Sequence, residues 1–459
     1  MRPIRLKTPF KSATFLPWIL MATTILLIMA VALLAMVSAS LKRSSLYSRQ
    51  VSAVNIAEAG INYYLWHLEH NPNDFWDNCS ANSADACRQL NPDGSYGPYS
   101  HDYTDNSGKL IGNYSLLIYP TNDTNIVKLK STGTVNGSTT RKTITTDLTI
   151  PSFANAFINS LTDEIYVDTQ EVINGPVWVN SSNKGIRNYG EIKGKTNLTC
   201  SIDSTFTTKW VSDSYCPGGI CPCAGGPGKF DTTPIVYSAA PFNLADIDFN
   251  DLKSKAIAQN QYYGDSNKQG YHITLADSQY SITKVSSYKS NTAAYGQINI
   301  EKSYLPSQAY AGNLMFFDDN VWVDGTVKNR EMTLVSSKNI FINGNITYAQ
   351  NDSVAKLGLV ANQDIPIVST CPNDLTIDAA MLAKNGRAYF QSSGPLKGTL
   401  NIYGAITQQG GLEFQWTSSG IVYWGFAHAG YNYDNRLLYT PPPYFPKSKS
   451  YQIVNWHEE

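Results

Sequence analysis

Charged side chains are scarce in this 459-residue chain, where Asp, Glu, Lys and Arg together make up 15% of the residues. Soluble domains carry roughly 25%. The formal net charge is −1, and no run of Lys or Arg follows the N-terminal region. The chain therefore lacks the basic footprint of a nucleic-acid-binding protein, and we exclude nucleic acid as a partner. Its length is sufficient for two or three domains, each with its own core.

Common catalytic motifs are missing as well. The six His residues are scattered, and neither a Gly-x-Ser-x-Gly elbow nor a phosphate-binding loop occurs. We therefore predict that the protein is not an enzyme and has no catalytic residue, metal ion or cofactor.

Charge is absent altogether between Lys11 and Lys42, and the stretch from Phe15 to Val37 is almost unbroken apolar sequence. A helix needs about 20 apolar residues to cross a bilayer. We predict a basic cytoplasmic segment over residues 1–14 and a transmembrane helix over residues 15–39. The predicted membrane-anchor residues are Phe15, Trp18, Ile25, Leu27, Val31, Leu34 and Val37.

The charges that flank this helix predict its orientation. Four basic residues precede it, whereas only Lys42 and Arg43 follow closely, and the more positive end normally stays in the cytoplasm. We expect a single-pass protein of the cell membrane with its bulk outside. A cleaved signal peptide is the alternative, because Val37-Ser38-Ala39 resembles a cleavage site, but the apolar run exceeds the usual 7–15 residues.

Apolar residues continue at helical spacing beyond Lys42, which predicts one helix to about His70. Residues 71–110 predict an irregular loop region, rich in Asn, Asp, Ser, Gly and Pro. Three strands are then predicted, and Asn136-Gly137 indicates a hairpin turn between the last two. Residues 40–150 are accordingly expected to form a helix packed on a small antiparallel sheet. The predicted strands are Tyr114–Tyr119, Ile126–Gly133 and Lys142–Ile150.

Beyond Pro151, short apolar triplets recur around Gly and Asn, with turn signals every 18–21 residues or so. This pattern is typical of a parallel β-solenoid, which we predict over residues 155–430, with insertions at about 195–310 and an extended C-terminal tail over 431–459. A β-sandwich is the alternative. The overall fold class is therefore mainly β after a long N-terminal helix. The predicted solenoid turn glycines are Gly175, Gly325, Gly344 and Gly404.

Seven cysteines leave at least one without a partner inside the chain. Cys79 and Cys87 form a candidate disulfide, and Cys216, Cys221 and Cys223 are candidate loop cysteines. A zinc site would need a second pair of ligands that the spacing does not supply, so disulfides are the preferred interpretation in an exported loop.

The first 150 residues resemble PilX-type minor pilins and related pseudopilins, through the apolar anchor, the continuing helix with Ala57-Glu58-Ala59-Gly60 and the strands after Ile111. The segment from about Phe316 to Gly404 looks like the β-helical ectodomain of bacterial surface proteins. The resemblance implies a type IV pilus-related protein whose helix contacts other pilin-like subunits. The chain departs from the pilin pattern because no glycine precedes Gly60 and no acidic residue precedes Glu58.

We therefore expect a structural or adhesive surface protein that contacts the membrane, other pilin-like subunits and a surface glycan or protein ligand. Aromatic platforms for such a ligand include Trp322, Trp416, Trp424, Tyr423 and Tyr431, although burial is the commoner role of large aromatics. The alternative is a carbohydrate-active β-helix enzyme using Asp318 and Asp319 with Lys328 or Arg330. The same two carboxylates with Asn320 and Asp324 match no calcium loop and are typical turn residues.

Overall fold

The computed structural model describes residues 15–71, 74–77, 79, 86–120, 126–160, 165–180, 185–207, 220–231, 235–239, 244, 247–349, 353–418, 421–448 and 451–459. The chain forms two compact units. Met1–Thr149 with Tyr451–Glu459 is called the helix unit, and Ile150–Ser450 the ladder unit. The structure is mainly β, with one long N-terminal helix and several sheets.

The helices are α1 (Phe15–His70) and α2 (Phe249–Ala258). The first fifteen strands are β1 (Tyr96–Thr104), β2 (Leu110–Pro120), β3 (Ile126–Val135), β4 (Arg141–Thr149), β5 (Ile158–Ser160), β6 (Ile165–Val167), β7 (Glu171–Asn174), β8 (Val177–Val179), β9 (Ile186–Asn188), β10 (Glu191–Ile192), β11 (Thr196–Leu198), β12 (Thr205–Thr207), β13 (Ile220–Pro222), β14 (Ala224–Gly225) and β15 (Lys229–Phe230). The following strands are β16 (Tyr262–Tyr263), β17 (Gly270–Leu275), β18 (Gln279–Tyr288), β19 (Ile298–Ala309), β20 (Leu314–Phe317), β21 (Val321–Val327), β22 (Glu331–Ser336), β23 (Ile340–Tyr348), β24 (Lys356–Ala361), β25 (Ile365–Ile367), β26 (Leu375–Ala383), β27 (Ala388–Phe390), β28 (Leu396–Gln408), β29 (Gln415–Ser418), β30 (Ile421–Tyr433) and β31 (Gln452–Glu458).

Helix α1 has the bounds that its sequence predicts. Pro17 lies in the first turn, where a proline costs no helical hydrogen bond, and the first glycine after it is Gly60. The helix changes environment along its length. Its side chains from Leu16 to Val51 are exposed or nearly so, whereas Ala53, Ile56, Ala57, Ile61, Tyr64 and Leu68 are buried.

The buried face of α1 packs on an antiparallel sheet with the strand order β1-β2-β3-β4-β31. Burial alternates along β2 to β4, so one face of the sheet meets the helix. At Gly133 an added Cβ would lie 2.2 Å from the Ala53 carbonyl oxygen, which shows how closely strand and helix approach. Asn136 and Gly137 turn β3 into β4, as predicted.

Two strands of this sheet were not predicted. β1 lies in the segment expected to be irregular. β31 lies in the segment expected to be an extended tail, yet it pairs antiparallel with β4. The helix unit is therefore completed by the last residues of the chain, and the ladder unit is inserted between β4 and β31.

Parallel pairing dominates the ladder unit. One series of neighbours runs β20-β22-β24-β26-β28-β5-β8-β11. A second series runs β26-β28-β30-β7-β10-β15. Matching buried residues stack along each series, for example Leu334 on Leu359 and Ile377 on Ile402. This pairing differs from the antiparallel sheets of a β-sandwich.

The spatial order of these strands is not the chain order. Ile406 in β28 pairs with Ile158 in β5, and Ala429 in β30 pairs with Glu171 in β7. The last strands of the unit therefore stack on its first strands, at a junction we call the seam. At one end of the stack, β16 and β17 pair in parallel with β20 and β21, so the segment predicted as insertions contributes ladder strands. There α2 packs on β20, with Phe249 against Phe316.

Three of the four predicted turn glycines lie inside strands. Gly325, Gly344 and Gly404 belong to β21, β23 and β28, and Gly175 follows β7. Gly404 has a φ of 153°, and a Cβ there would lie 1.9 Å from the Ala379 carbonyl oxygen in the neighbouring strand. The glycine is needed because adjacent backbones approach closely, rather than because the chain reverses.

Candidate functional site

The N-terminal half of α1 presents a long run of exposed apolar side chains. Trp18, Leu27 and Leu34 are 72%, 67% and 68% exposed. Ile25, Val31 and Val37 are also exposed, and the backbone of Phe15 begins the helix. By length and composition this helix is long and apolar enough to cross a membrane. One apolar helix near the N-terminus fits a single-pass membrane anchor.

Cys79 and Cys87 form a disulfide in the structure, with their Cα atoms 6.3 Å apart. The Arg88 guanidinium donates to the Cys79 carbonyl oxygen at 2.6 Å and lies 4.6 Å from the centre of the Trp76 ring. Nearby, the Asp77 carboxylate accepts the Tyr63 hydroxyl at 2.9 Å and contacts His101 Nε2 at 2.5 Å. The disulfide thus closes a segment that is also fixed by polar contacts to α1 and β1.

The loop cysteines are not gathered into a metal site among the described residues. Cys223 forms a disulfide with Cys200, and Cys221 is also disulfide-bonded. Cys216 lies outside the described residues. Within the described ranges, no group of three or more His, Cys, Asp or Glu side chains has the arrangement of a metal site. The Cys371 thiol is free and buried, and burial raises its pKa to about 11, which makes it a poor nucleophile.

The carboxylates considered for catalysis are held in separate polar contacts. Lys253 donates to Asp318 at 2.6 Å and holds the pKa of that carboxyl below its usual value. The buried Asp319 accepts the Ser266 hydroxyl at 2.6 Å and Lys338 at 2.7 Å.

The remaining polar side chains of that hypothesis are also engaged. The Asp324 carboxylate contacts His272 Nε2 at 2.8 Å and accepts a hydrogen bond from the Asn343 side-chain amide at 2.6 Å. Lys328 pairs with Asp277 at 2.9 Å, and Arg330 lies over the Tyr310 ring. The contacts of Asp324 link β21 to its neighbours β17 and β23.

The aromatic residues divide into two sets. Trp322 is buried and stacks on Phe341 at 4.3 Å between ring centres, and Tyr431 is also buried. Tyr423 and Trp424 are 53% and 43% exposed, and Trp416 is partly buried. These last three belong to a hairpin formed by β29 and β30, in which Trp416 lies opposite Trp424. The structure therefore places an aromatic surface at this hairpin.

Sequence reasoning missed Glu171, which is buried at the seam. Its carboxyl accepts the Tyr431 hydroxyl at 2.7 Å and the Asp168 backbone N–H at 2.9 Å. Burial raises the pKa of Glu171 to about 7, although both hydrogen bonds act in the opposite direction. Asp168 in turn accepts the Thr417 hydroxyl of β29. The available signal was a lone acidic residue beginning the apolar strand Glu171-Val172-Ile173.

An open cavity of about 600 Å³ lies between α2 and the segment Tyr444–Lys447. Its lining includes the buried Leu252 and Phe445 and the charged residues Asp248, Asp251, Lys255 and Lys447. Burial lowers the pKa of Lys447. Because the lining carries charges of both signs, it favours no particular class of ligand.

No protein-family model matches the chain, and no curated protein matches it. Among solved structures, a match is found to the competence-associated pilin ComZ from Thermus thermophilus, at 16% identity and a TM-score of 0.28, covering 90% of this chain and 98% of that one. A similarity this low does not establish a shared fold.

Proposed function

We propose that this protein is a membrane-anchored bacterial surface component related to type IV pilus proteins, with a structural or adhesive role. The observation that carries the proposal is the division of α1 into an exposed apolar half and a half buried on an antiparallel sheet. In a helix with these two environments, one half serves as a membrane anchor and the other half packs in the core of a small domain. The PilX-type resemblance of the first 150 residues agrees with this arrangement.

The ladder unit is proposed as the exported ectodomain, folded as a β-solenoid. Support comes from the parallel series of strands, from the stacked buried columns, and from Asn pairs that link successive turns. Asn339 donates to Asn320 at 3.1 Å, and Asn385 donates to Asn362 at 3.0 Å. The disulfide between Cys200 and Cys223 suits an oxidising compartment.

The proposed partners follow from the same division. The exposed half of α1 would contact lipid and the helices of other pilin-like subunits, and the N-terminus would lie in the cytoplasm. An ectodomain ligand would be a surface glycan or a protein.

The anchor is tested with the full chain expressed in bacteria, followed by an alkaline wash of the membrane fraction. The wild type is expected to stay with the membranes. Leu27→Lys with Leu34→Lys should release it, since a lysine at the centre of a spanning helix costs about 3 kcal/mol. Tyr47→Lys is the control, because Tyr47 is 70% exposed on α1 but lies beyond the apolar run. Retention of the double variant would refute the anchor.

Orientation is tested separately by adding protease to cells whose outer layers have been permeabilised. We expect digestion of everything after about residue 42, in keeping with the N-terminal positive charge. Survival of the full-length chain would overturn the proposed topology.

A further inference from the structure

Asparagine is followed directly by glycine at four positions of the chain, which are Asn136, Asn174, Asn343 and Asn385. At such a step, the backbone nitrogen of the glycine can attack the side-chain carbonyl carbon of the asparagine, because glycine has no Cβ to hinder the approach. The reaction converts the asparagine to aspartate or isoaspartate. Its rate in a folded protein depends on how readily the reacting groups leave their native contacts.

The three asparagines of the ladder unit are held by hydrogen bonds. The Asn174 side-chain amide donates to an asparagine of β30 at 2.8 Å, and the Asn343 amide donates to the Asp324 carboxylate at 2.6 Å. The Asn385 amide donates to the Asn362 backbone carbonyl oxygen at 2.9 Å. Asn174 also lies in β7, which pairs with β30, and Asn343 lies in β23, which pairs with β21. At these positions the native contacts must break before the reaction starts.

Asn136 differs because it lies in the exposed turn between β3 and β4 of the helix unit. Its side-chain amide makes a long contact, of 3.4 Å, with the Leu110 carbonyl oxygen. Among the described residues, none accepts a hydrogen bond from the N–H of Gly137, whose nitrogen is the attacking atom. A Cβ at Gly137 would have no atom within 4 Å other than those of its chain neighbours, so the turn projects into open space. The reacting groups are therefore accessible and weakly held.

We propose that Asn136 deamidates spontaneously in the folded protein, in preference to the three asparagines of the ladder unit. A bond forms between the Gly137 nitrogen and Asn136 Cγ, and the bond between Cγ and Nδ2 breaks. The Gly137 N–H proton leaves with Nδ2 as ammonia, and a cyclic succinimide remains. Water then hydrolyses the ring to aspartate or isoaspartate. This modification site does not depend on the proposed membrane anchor or surface role.

The product changes both the charge and the geometry of the turn. A carboxylate, which only accepts hydrogen bonds, replaces the amide that donates to the Leu110 carbonyl oxygen. Isoaspartate also adds a methylene carbon to the backbone of the turn. Because β3 and β4 lie inside the sheet that packs on α1, we expect faster hydrogen exchange at the ends of these two strands in the modified chain.

Peptide mapping of the purified full-length chain tests the site. After incubation at mildly alkaline pH, trypsin should release residues 131–141 as one peptide, because it cleaves after Lys130 and Arg141. We expect a mass gain of about 1 Da at Asn136, at a rate at least about tenfold that at Asn343. Asn343 is the matched control because glycine follows it as well. Comparable rates at the two positions, or no gain at Asn136, would rule the proposal out.

The same chain in denaturant separates the effect of the fold from that of the local sequence. Without the fold, all four asparagines should react at similar rates, because glycine follows each of them and none is held. If the preference for Asn136 persisted in denaturant, neighbouring residues rather than the exposed turn would select the site, and the inference would be wrong. Asn136→Gln should abolish the mass gain at this position, since the larger ring that glutamine must form closes far more slowly.

Discussion

The helix unit and the ladder unit are both rich in β-structure but are assembled by different rules. In the helix unit, β1 to β4 form consecutive antiparallel pairs, and only β31 comes from far along the chain. In the ladder unit, most described strands pair in parallel with strands that do not follow them directly in the chain, whereas β18, β19 and β29 pair antiparallel. Strands from the beginning and the end of this unit meet at the seam. Because the strands of the helix unit pair with their neighbours in the chain, we expect a substitution in one hairpin to disturb mainly that hairpin. In the ladder unit, we expect substitutions to be most destabilising where the backbones of stacked strands approach closely.

The largest effect is expected at Gly404. Gly404→Val places a side chain where the Cβ alone would lie 1.9 Å from the Ala379 carbonyl oxygen. We expect the free energy of unfolding of the ladder unit to fall by about 3 kcal/mol or more, because the neighbouring strand must shift. Hydrogen exchange should show faster exchange in the ladder unit and no change in the helix unit.

Gly344→Ala is the control for that experiment, since the nearest atom to its Cβ would be the Asp324 Cβ at 3.3 Å. Its cost should stay within about 1 kcal/mol, as expected for a small adjustment. Equal losses in the two variants would contradict the close-approach explanation.

The seam is expected to make the ladder unit less stable as pH rises. Glu171 has a folded-state pKa of about 7, raised from 4.5, so the folded chain holds a proton that the unfolded chain loses between these values. The contribution of Glu171 to stability is therefore fully present below about pH 4.5 and falls by about 3 kcal/mol as pH approaches 7. Glu171→Gln should remove this part of the dependence, measured by urea unfolding across the same pH window.

Glu191→Gln provides the comparison, because Glu191 lies on neighbouring β10 and pairs with Lys193 at the surface at 3.1 Å. That variant should keep the fall in stability of the wild type. An unchanged pH profile in Glu171→Gln would show that the seam carboxyl is not responsible.

A smaller effect, confined to the helix unit, is expected from the disulfide between Cys79 and Cys87. The two are separated by 8 residues, and the chain-entropy relation assigns about 2.5 kcal/mol to closing a loop of that length. Cys79→Ser with Cys87→Ser should lower the thermal midpoint of the helix unit. Cys200→Ser with Cys223→Ser should instead lower the thermal midpoint of the ladder unit. If either double variant lowered the midpoint of the other unit, the two disulfides would not act locally as expected.

The smallest effect concerns the attachment of β31. Lys130 and Glu459 form an ion pair of 2.9 Å, with side chains 34% and 46% exposed. Lys130→Ala should lower the stability of the helix unit only slightly, because exposed pairs are well solvated. The difference from wild type should vanish in high salt, which screens surface charges. A larger cost that persists in salt would indicate that the pair does more than attach the strand.

Helix α1 and strands β2 to β4 were predictable from sequence, because each shows its own periodicity over a continuous stretch. β1 was missed since Tyr96–Thr104 contains Gly97-Pro98 and His101-Asp102, which indicate a loop. β31 was missed because its partner β4 lies some 300 residues earlier, and no local pattern names a distant partner. Gly325 and Gly404 were found, yet they lie inside strands, where close approach of the neighbouring backbone rather than chain reversal requires glycine.

The candidate surfaces were predictable to a similar degree. The anchor residues follow from hydropathy alone, whereas Trp322 and Trp424 look alike in sequence and differ only in burial. Glu171 gave a faint signal, since one acidic residue in a strand is usually exposed.

The amino-acid sequence by itself determined where the long helix begins and ends and which of its halves is apolar throughout, because those properties depend on neighbours a few residues away. Tertiary structure decided the stacking order of the ladder strands and the burial of Glu171. Both depend on which distant backbone lies alongside. Parallel strands give no local sign of that choice, because their hydrogen bonds and packing involve residues that only the folded chain brings together.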